Sequence, residues 1–462
     1  MLRIHDTRTS RRTFLEVGSL ALGGLTLPSL FAARSEAAAN MRPVKDKSVI
    51  FLFLHGGPSQ IETFDPKMEA PAEIRSTTGE VATVHPGITF GGTFPKLAAL
   101  ADKFSIVRSF RTGDGNHDIK PIVGKATLGA NLGSLYTRVA GTNHPTTGMP
   151  LNAALFPRAV DPQTQPAVEN FGRFDSAGPL GTAYAPFVPG GGGTFQKDLE
   201  LHLDKTRMDD RRNLLAGLDT LKRQADAGKL GGLDKFQQQA FQTILGGVAK
   251  AFDLSQEDPK ITERYDTAPL VRPDQISRKW NNYNNYVDNA KTLGKLLLMA
   301  RRLCEAGCGF VTVTTNFVWD MHSDVNNAGC EEGMAYMGQP LDHALSAFIE
   351  DTQAQGLDEK ILLVTCGEMG RTPRVNERGG RDHWGGLAPL LVYGGGLQMG
   401  QVLGHSTRDA GEPQSVPVTN ENLIATILHT MLDIPQVRLL PGLPNDVLQL
   451  MTGGTPIPGL ST

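Results

Sequence analysis

Two hydrophobic rhythms alternate along the chain. Unbroken or nearly unbroken apolar runs of five or six residues fall at Val49–Leu54 (VIFLFL), Ser105–Phe110, Phe310–Thr314, Ile361–Cys366 (ILLVTC) and Pro389–Tyr393. Runs without polar alternation suit strands buried on both faces of a parallel sheet. Between them apolar residues recur every three or four positions. One helix is expected over 282–305, with Leu293, Leu296, Leu297, Ala300 and Leu303 on one face and Gly307 just past its end. A second is expected to open at Pro340, to carry Leu341, Leu345, Phe348 and Ile349 inward, and to close at Gly356. A third is expected over 420–432, with Leu423, Ile424, Ile427, Leu428 and Met431 as its buried stripe. Strands alternating with amphipathic helices predict an α/β fold with a largely parallel sheet covered on both sides.

Two stretches break this rhythm. Residues 140–195 are rich in Gly and Pro and read as a surface connection with short strands at most. Residues 195–290 are mostly helical in pattern, as in RRNLLAGLDTLKRQADAG, where Leu214, Leu218 and Leu221 recur at helical spacing. They are expected to form a helical insertion or cap. The rest of 40–462 reads as one domain.

The totals exclude some functions. With 462 residues, 40% apolar, 20% charged and a formal net charge of −3, the chain is ordinary globular protein without the basic footprint of a nucleic-acid binder. The N-terminus is more specific. Ser10-Arg11-Arg12-Thr13-Phe14-Leu15 is a twin-arginine pattern, followed by the apolar run Val17–Phe31 and by Ala37-Ala38-Ala39. That order is expected of an export signal over 1–39, and the run is too short to span a bilayer. A mature protein in the periplasm or outside the cell follows, with no membrane span. Cys304, Cys308, Cys330 and Cys366 form no Cys-x-x-Cys pair, so a cysteine zinc site is not expected; disulfides or buried free thiols both remain open.

Chemistry gathers at the strand ends. His55 follows the first strand, with Glu62 and Asp65 soon after. Thr112, His117 and Asp118 follow the second. Asp320 and His322 follow the strand Phe310–Thr314, and Glu368, Arg371, Arg381, Asp382 and His383 follow Ile361–Cys366. In open α/β sheets, ligands bind outside the carboxyl ends of the strands. Asp-x-His in extended chain points both side chains the same way, so Asp320 and His322 can share one metal or form a buried hydrogen-bonded pair. His383 can join them, with Asp382 as a ligand's neighbour that orients its ring. Arg371 and Arg381 can clamp a tetrahedral anion or pair with nearby carboxylates. No Gly-x-Ser-x-Gly elbow, Walker loop or dinucleotide fingerprint is present.

Taken in order, SRRTFL, HGGPSQIETFDPK, GNHD, LLLMARRLCEAGCGFVTV, WDMHSD, CGEMGRTP and GRDHWGG resemble the exported bacterial family catalogued as domain of unknown function 1501, across nearly the whole chain. That family is in turn similar to sulfatases and the alkaline phosphatase superfamily. The resemblance implies a three-layer α/β/α sandwich and metal-assisted hydrolysis of sulfate or phosphate esters, with anionic small molecules or sulfated or phosphorylated glycans as substrates. It places Asp320, His322 and His383 at one divalent ion (zinc, calcium or magnesium), with Glu368 and His55 at further ligand positions. The sequence departs from the pattern in three places. Met369 stands where a second-site histidine belongs, His55 ends the first strand where an aspartate belongs, and the Cys-x-Pro-x-Arg nucleophile signature is absent. Thr112, His117 or an activated water remain as nucleophile, and Arg371 as the anion-binding residue. The alternative is a non-catalytic envelope or carbohydrate-binding protein that kept the fold and at most one structural metal.

Overall fold

The computed structural model describes residues 42–190 and 248–460. The expected signal over 1–39 and the helical pattern over 195–247 lie outside the described residues. In chain order the strands are β1 Ser48–Phe53, β2 Glu80–Ala82, β3 Thr89–Gly91, β4 Ser105–Val107, β5 Asn152–Leu155, β6 Phe310–Thr314, β7 Ile361–Cys366, β8 Gly370–Arg371, β9 His383–Trp384, β10 Leu390–Gly394 and β11 Val402–Leu403. Seven of them form the central sheet in the order β11-β4-β10-β7-β1-β6-β5. β1 pairs in parallel with β6 and β7, and β5 with β6. β10 alone runs against its neighbours β7 and β4, while β11 follows β4 in parallel.

The sheet is covered on both faces, as the unbroken apolar runs require. Every side chain from Val49 to Phe53 in β1 is fully shielded from solvent, each worth about 1.5–3 kcal/mol relative to exposure. Ile50 and Leu52 pack with helices Tyr283–Glu305 and Cys330–Ala354; Val49, Phe51 and Phe53 pack on the other side with Leu132–Ala140 and Asn420–Met431. Alternation along one strand thus feeds two cores, and the architecture is a three-layer α/β/α sandwich.

Three expectations need adjusting. β4 stops at Val107, and Phe110 continues only as an isolated bridge to Val418. The Gly- and Pro-rich segment, expected as a surface connection with short strands at most, does supply a short strand, β5, but a buried one paired into the central sheet. Pro340 does not open its helix: Cys330–Ala354 begins ten residues earlier and carries the proline inside. A proline there forfeits one backbone bond. Met334, Met337, Leu341 and Leu345 are all buried in the same core, and this packing carries the helix past the break. All four cysteines are free and buried.

Asp342 joins two helices. Its carboxylate accepts from the backbone N–H groups of Lys96 (3.0 Å) and Leu97 (2.7 Å), which open helix Pro95–Ala99, a helix whose own N-cap, Phe94, gives no side-chain bond. Burial pushes the Asp342 carboxyl up to about 6. A carboxyl raised on folding holds its proton more tightly in the folded chain. Its stabilising contribution is therefore complete below about 4 and disappears as pH rises through about 6. Relative to Asp342→Asn, the wild type is expected to lose on the order of 2 kcal/mol of unfolding free energy between pH 4 and pH 7, measurable by denaturant titration at each pH.

Candidate functional site

Topology brings the expected residues to one edge of the sheet. β1, β6 and β7 are parallel, so His55, Asp320 and Glu368 emerge at the same end. β10 runs the other way, and its first residue, Leu390, sits beside the last residue of β7, Cys366. The segment leading into β10, with His383, therefore arrives at that same edge. β4 pairs Ile106 with Leu391, so the loop that follows it, with His117, ends there too.

Three donor atoms converge. His117 Nε2 lies 3.0 Å from His383 Nε2 and 3.4 Å from Asp320 Oδ1, and His383 Nε2 lies 3.2 Å from the same oxygen. Four ligands around a tetrahedral ion at ~2.0–2.1 Å stand roughly 3.3 Å apart. The observed triangle has nearly that edge on every side. Among the described residues these three are the group able to hold a metal ion together.

The surroundings fix how each donor presents itself. Glu368, fully buried, faces His117 Nδ1 at 2.9 Å. A carboxylate can only accept, so Nδ1 carries a hydrogen there, and the proton that Nε2 shares with Asp320 is the one an ion would replace, exposing the Nε2 lone pair to the triangle. The same carboxylate accepts from Gly56 N–H at 2.9 Å. His322 Nε2 and Asn327 Nδ2 bond the other oxygen of Asp320, at 2.8 and 3.1 Å, which leaves Oδ1 facing the two histidines. Burial alone would raise the Asp320 carboxyl. Hydrogen bonds from His117, His322 and His383, with the Arg371 charge, outweigh it and hold the group far below the usual carboxylate range. Burial would likewise lower His117, and its bonds to Asp320 and Glu368 outweigh that, leaving the imidazole above its ordinary value.

The turn His55-Gly56-Gly57 ties these parts together. The His55 carbonyl accepts from Trp319 N–H at 3.1 Å, and a Cβ on Gly56 would stand 2.6 Å from the Asp320 nitrogen. With φ of +113° as well, position 56 needs glycine on both counts. Arg371 donates from Nε to the Gly57 carbonyl at 2.7 Å, also to the Gly56 carbonyl, and to Asp320 Oδ1 at 2.6 Å. β8 and β9 pair Arg371 opposite His383.

The other expected residues have different surroundings. The Arg371 guanidinium is 1% exposed and engaged on protein carbonyls and Asp320, so it fixes the carboxylate where an anion clamp had been expected. Arg381 is buried against Glu62, at 2.9 Å, and the carbonyls of Ile74 and Arg75. Asp382 is exposed and accepts from Asn376, away from the His383 ring. His55 lies in a cage of Phe53, Phe171, Phe174 and Phe317, its Nε2 buried with no hydrogen-bond partner among the described residues. Burial lowers its imidazole to about 4, so it is neutral. The Thr112 hydroxyl bonds within its own loop, to the Asp114 carbonyl. Sequence reading missed Asn327 and the rings of Phe171 and Phe317. Only Asn327 left a signal, as an amide seven residues beyond Asp320 in a polar loop.

Glu368→Gln tests the orientation of His117. A glutamine amide can donate to Nδ1 and so move the hydrogen to Nε2, against the triangle. Metal affinity is expected to fall about 10- to 100-fold with the fold retained, read by competition with a chromophoric chelator alongside circular dichroism.

No curated protein sequence matches the chain. Among solved structures, the sulfatase PsFucS1 from Pseudoalteromonas sp. is 10% identical with a TM-score of 0.35, the match covering 87% of this chain and 71% of that one. The phosphonate monoester hydrolase SpPMH from Silicibacter pomeroyi is 11% identical with a TM-score of 0.34, covering 89% and 78%. At such scores the fold rests on the topology described above. The family described as "Protein of unknown function (DUF1501)" matches residues 46–454, and the chain belongs to that family.

Proposed function

We propose that this protein is an exported, metal-dependent hydrolase of sulfate or phosphate esters, and that His117, Asp320 and His383 hold its ion. The observation that carries the reading is the donor triangle, with all three sides between 3.0 and 3.4 Å. Two imidazoles and one carboxylate oxygen suit a zinc-type ion better than calcium, which takes six to eight oxygens, or magnesium, which keeps a mostly hydrated octahedron, and this supports zinc among the three. Three protein ligands are the count of a catalytic zinc site, which keeps a fourth position for water or substrate. When bound, such an ion polarises an ester oxygen and lowers the pKa of water. The ester class comes from the motif resemblance, and the export route from the twin-arginine segment.

The protein's own groups prepare the site. Glu368 holds the His117 hydrogen on Nδ1. Arg371 balances the Asp320 charge inside a water-poor setting, and His322 and Asn327 keep the second carboxylate oxygen occupied. Among the described residues no side chain is placed as a nucleophile on the triangle, which favours direct attack by water over a covalent intermediate.

One observation favours a second reading. The guanidinium groups of both Arg371 and Arg381 are held by internal carbonyls and carboxylates, so neither is available to an anionic substrate. A non-catalytic binding protein with one structural ion would look the same at those positions. Purified mature protein is expected to hold about one zinc per chain by elemental analysis, to lose it in Asp320→Ala and His383→Ala, and to hydrolyse aryl sulfate or aryl phosphate in a chelator-sensitive way. Zinc retained in both variants would remove the site. Zinc bound without turnover of either ester would select the second reading.

A further inference from the structure

The proposed ion site is walled on one side by two stacked phenyl rings. Phe317 lies in the turn between β6 and Asp320, with its centroid 4.7 Å from the His117 ring. Phe171 lies on the connection that follows β5. Its ring stacks on Phe317 at 4.7 Å and 27°, and it reaches the His117 ring at 4.9 Å. The two differ in exposure: Phe317 is 8% exposed and Phe171 is 36% exposed. Among the described residues, the other large apolar side chains left in solvent are aliphatic, so Phe171 is the exposed aromatic.

The chain around Phe171 keeps that ring in place. Phe174, three residues on, is buried against Phe53, Phe156 and His55. Gly172 passes so close to Ile119 that a Cβ there would stand 2.8 Å from its side chain, at a φ of +143°. Ile119 is itself buried two residues from His117. The exposed ring is thus tied to the same loop as a proposed ligand. A phenyl ring supported on one face and about a third exposed, beside a site for an anionic group, offers a stacking surface to whatever the anion is attached to.

We propose that Phe171 is a specificity-determining residue, the floor of a subsite that takes esters whose alcohol part is a ring with a flat apolar face, a sugar or an aryl group, in preference to acyclic esters. This rests on the ion site of the proposed function and adds a substrate class to it. A ring stacked on Phe171 would direct its sulfate or phosphate group toward the histidines. The alternative role for Phe171 is as a shield that keeps water from His117, and it predicts no preference for rings.

Binding of non-hydrolysed ligands separates these without need of turnover. Phenylphosphonate, a C-glycosyl phosphonate (a hexose ring joined to phosphorus through carbon) and methylphosphonate are titrated calorimetrically, in chelator-treated buffer for the apo control, against zinc-loaded wild type, Phe171→Ala and Phe171→Leu. The wild type is expected to bind both ring ligands about 3- to 10-fold tighter than methylphosphonate. In Phe171→Ala and in Phe171→Leu, which keeps most of the apolar bulk, that ratio is expected to fall toward one with zinc still bound. A response to only one ring ligand would say which ring the subsite takes. A ratio that survives both substitutions, or no ring preference in the wild type, would overturn the subsite while leaving the ion site standing. No zinc-dependent binding of any of the three would remove the proposed function and this inference together.

Discussion

The Asp320 carboxylate is the point on which the arrangement at the sheet edge depends. It is 4% exposed, and an ionised group so placed is tolerated only if it is paired and fully hydrogen-bonded. Five side chains meet that demand: Arg371, His117 and His383 at one oxygen, His322 and Asn327 at the other. They come from the segments that follow three strands of the central sheet, β4, β6 and β7. Satisfying one buried charge therefore draws together segments up to 266 residues apart along the chain.

Glycine makes that convergence sterically possible. The backbone at Gly56 touches the backbone at Trp319 and Asp320, and a Cβ on Gly380 or Gly385 would fall within 2.3 Å of His322 or Asp114. These close approaches allow short loops to cross over the site without long side chains to fill gaps. Arg371 locks the crossing by bonding carbonyls from the turn after β1 together with the aspartate from the loop after β6. The same saturation of Arg371 bears on function. A cation committed to holding Asp320 has no fork left for an anion, so under the proposed function the charge of an anionic substrate would be met by the bound ion.

The aromatic side of the site contrasts with this polar side. His55 sits neutral inside a phenylalanine cage, and the cage extends outward through Phe317 to the open ring of Phe171. Polar donors on one flank and an open ring on the other are the two features on which the proposed distinction between an anionic end and an apolar ring end of a ligand rests.

Much of this was legible in the sequence. Apolar runs without alternation at β1, β6, β7 and β10 marked doubly covered strands, because burial on both faces removes any reason for a polar position. Ligand-type residues after those runs marked the edge where the candidate site gathers, since parallel strands deliver their carboxyl ends together. Asp320 and His383 were readable as partners for the same reason. Tertiary structure alone decided the division of roles among the rest. His117 joins the triangle because β4, beyond the reversed β10, runs parallel to β1, β6 and β7 and ends at the same edge, a fact about strand order that no local pattern carries. Arg371 and Arg381 became internal ties because buried carbonyls and the carboxylates of Asp320 and Glu62 surround them, and burial is a property of the packed chain. Pro340 stayed inside its helix because core packing outweighs one missing hydrogen bond. Local periodicity records which faces must be hidden; which groups then meet depends on how distant segments satisfy one another's charge and volume.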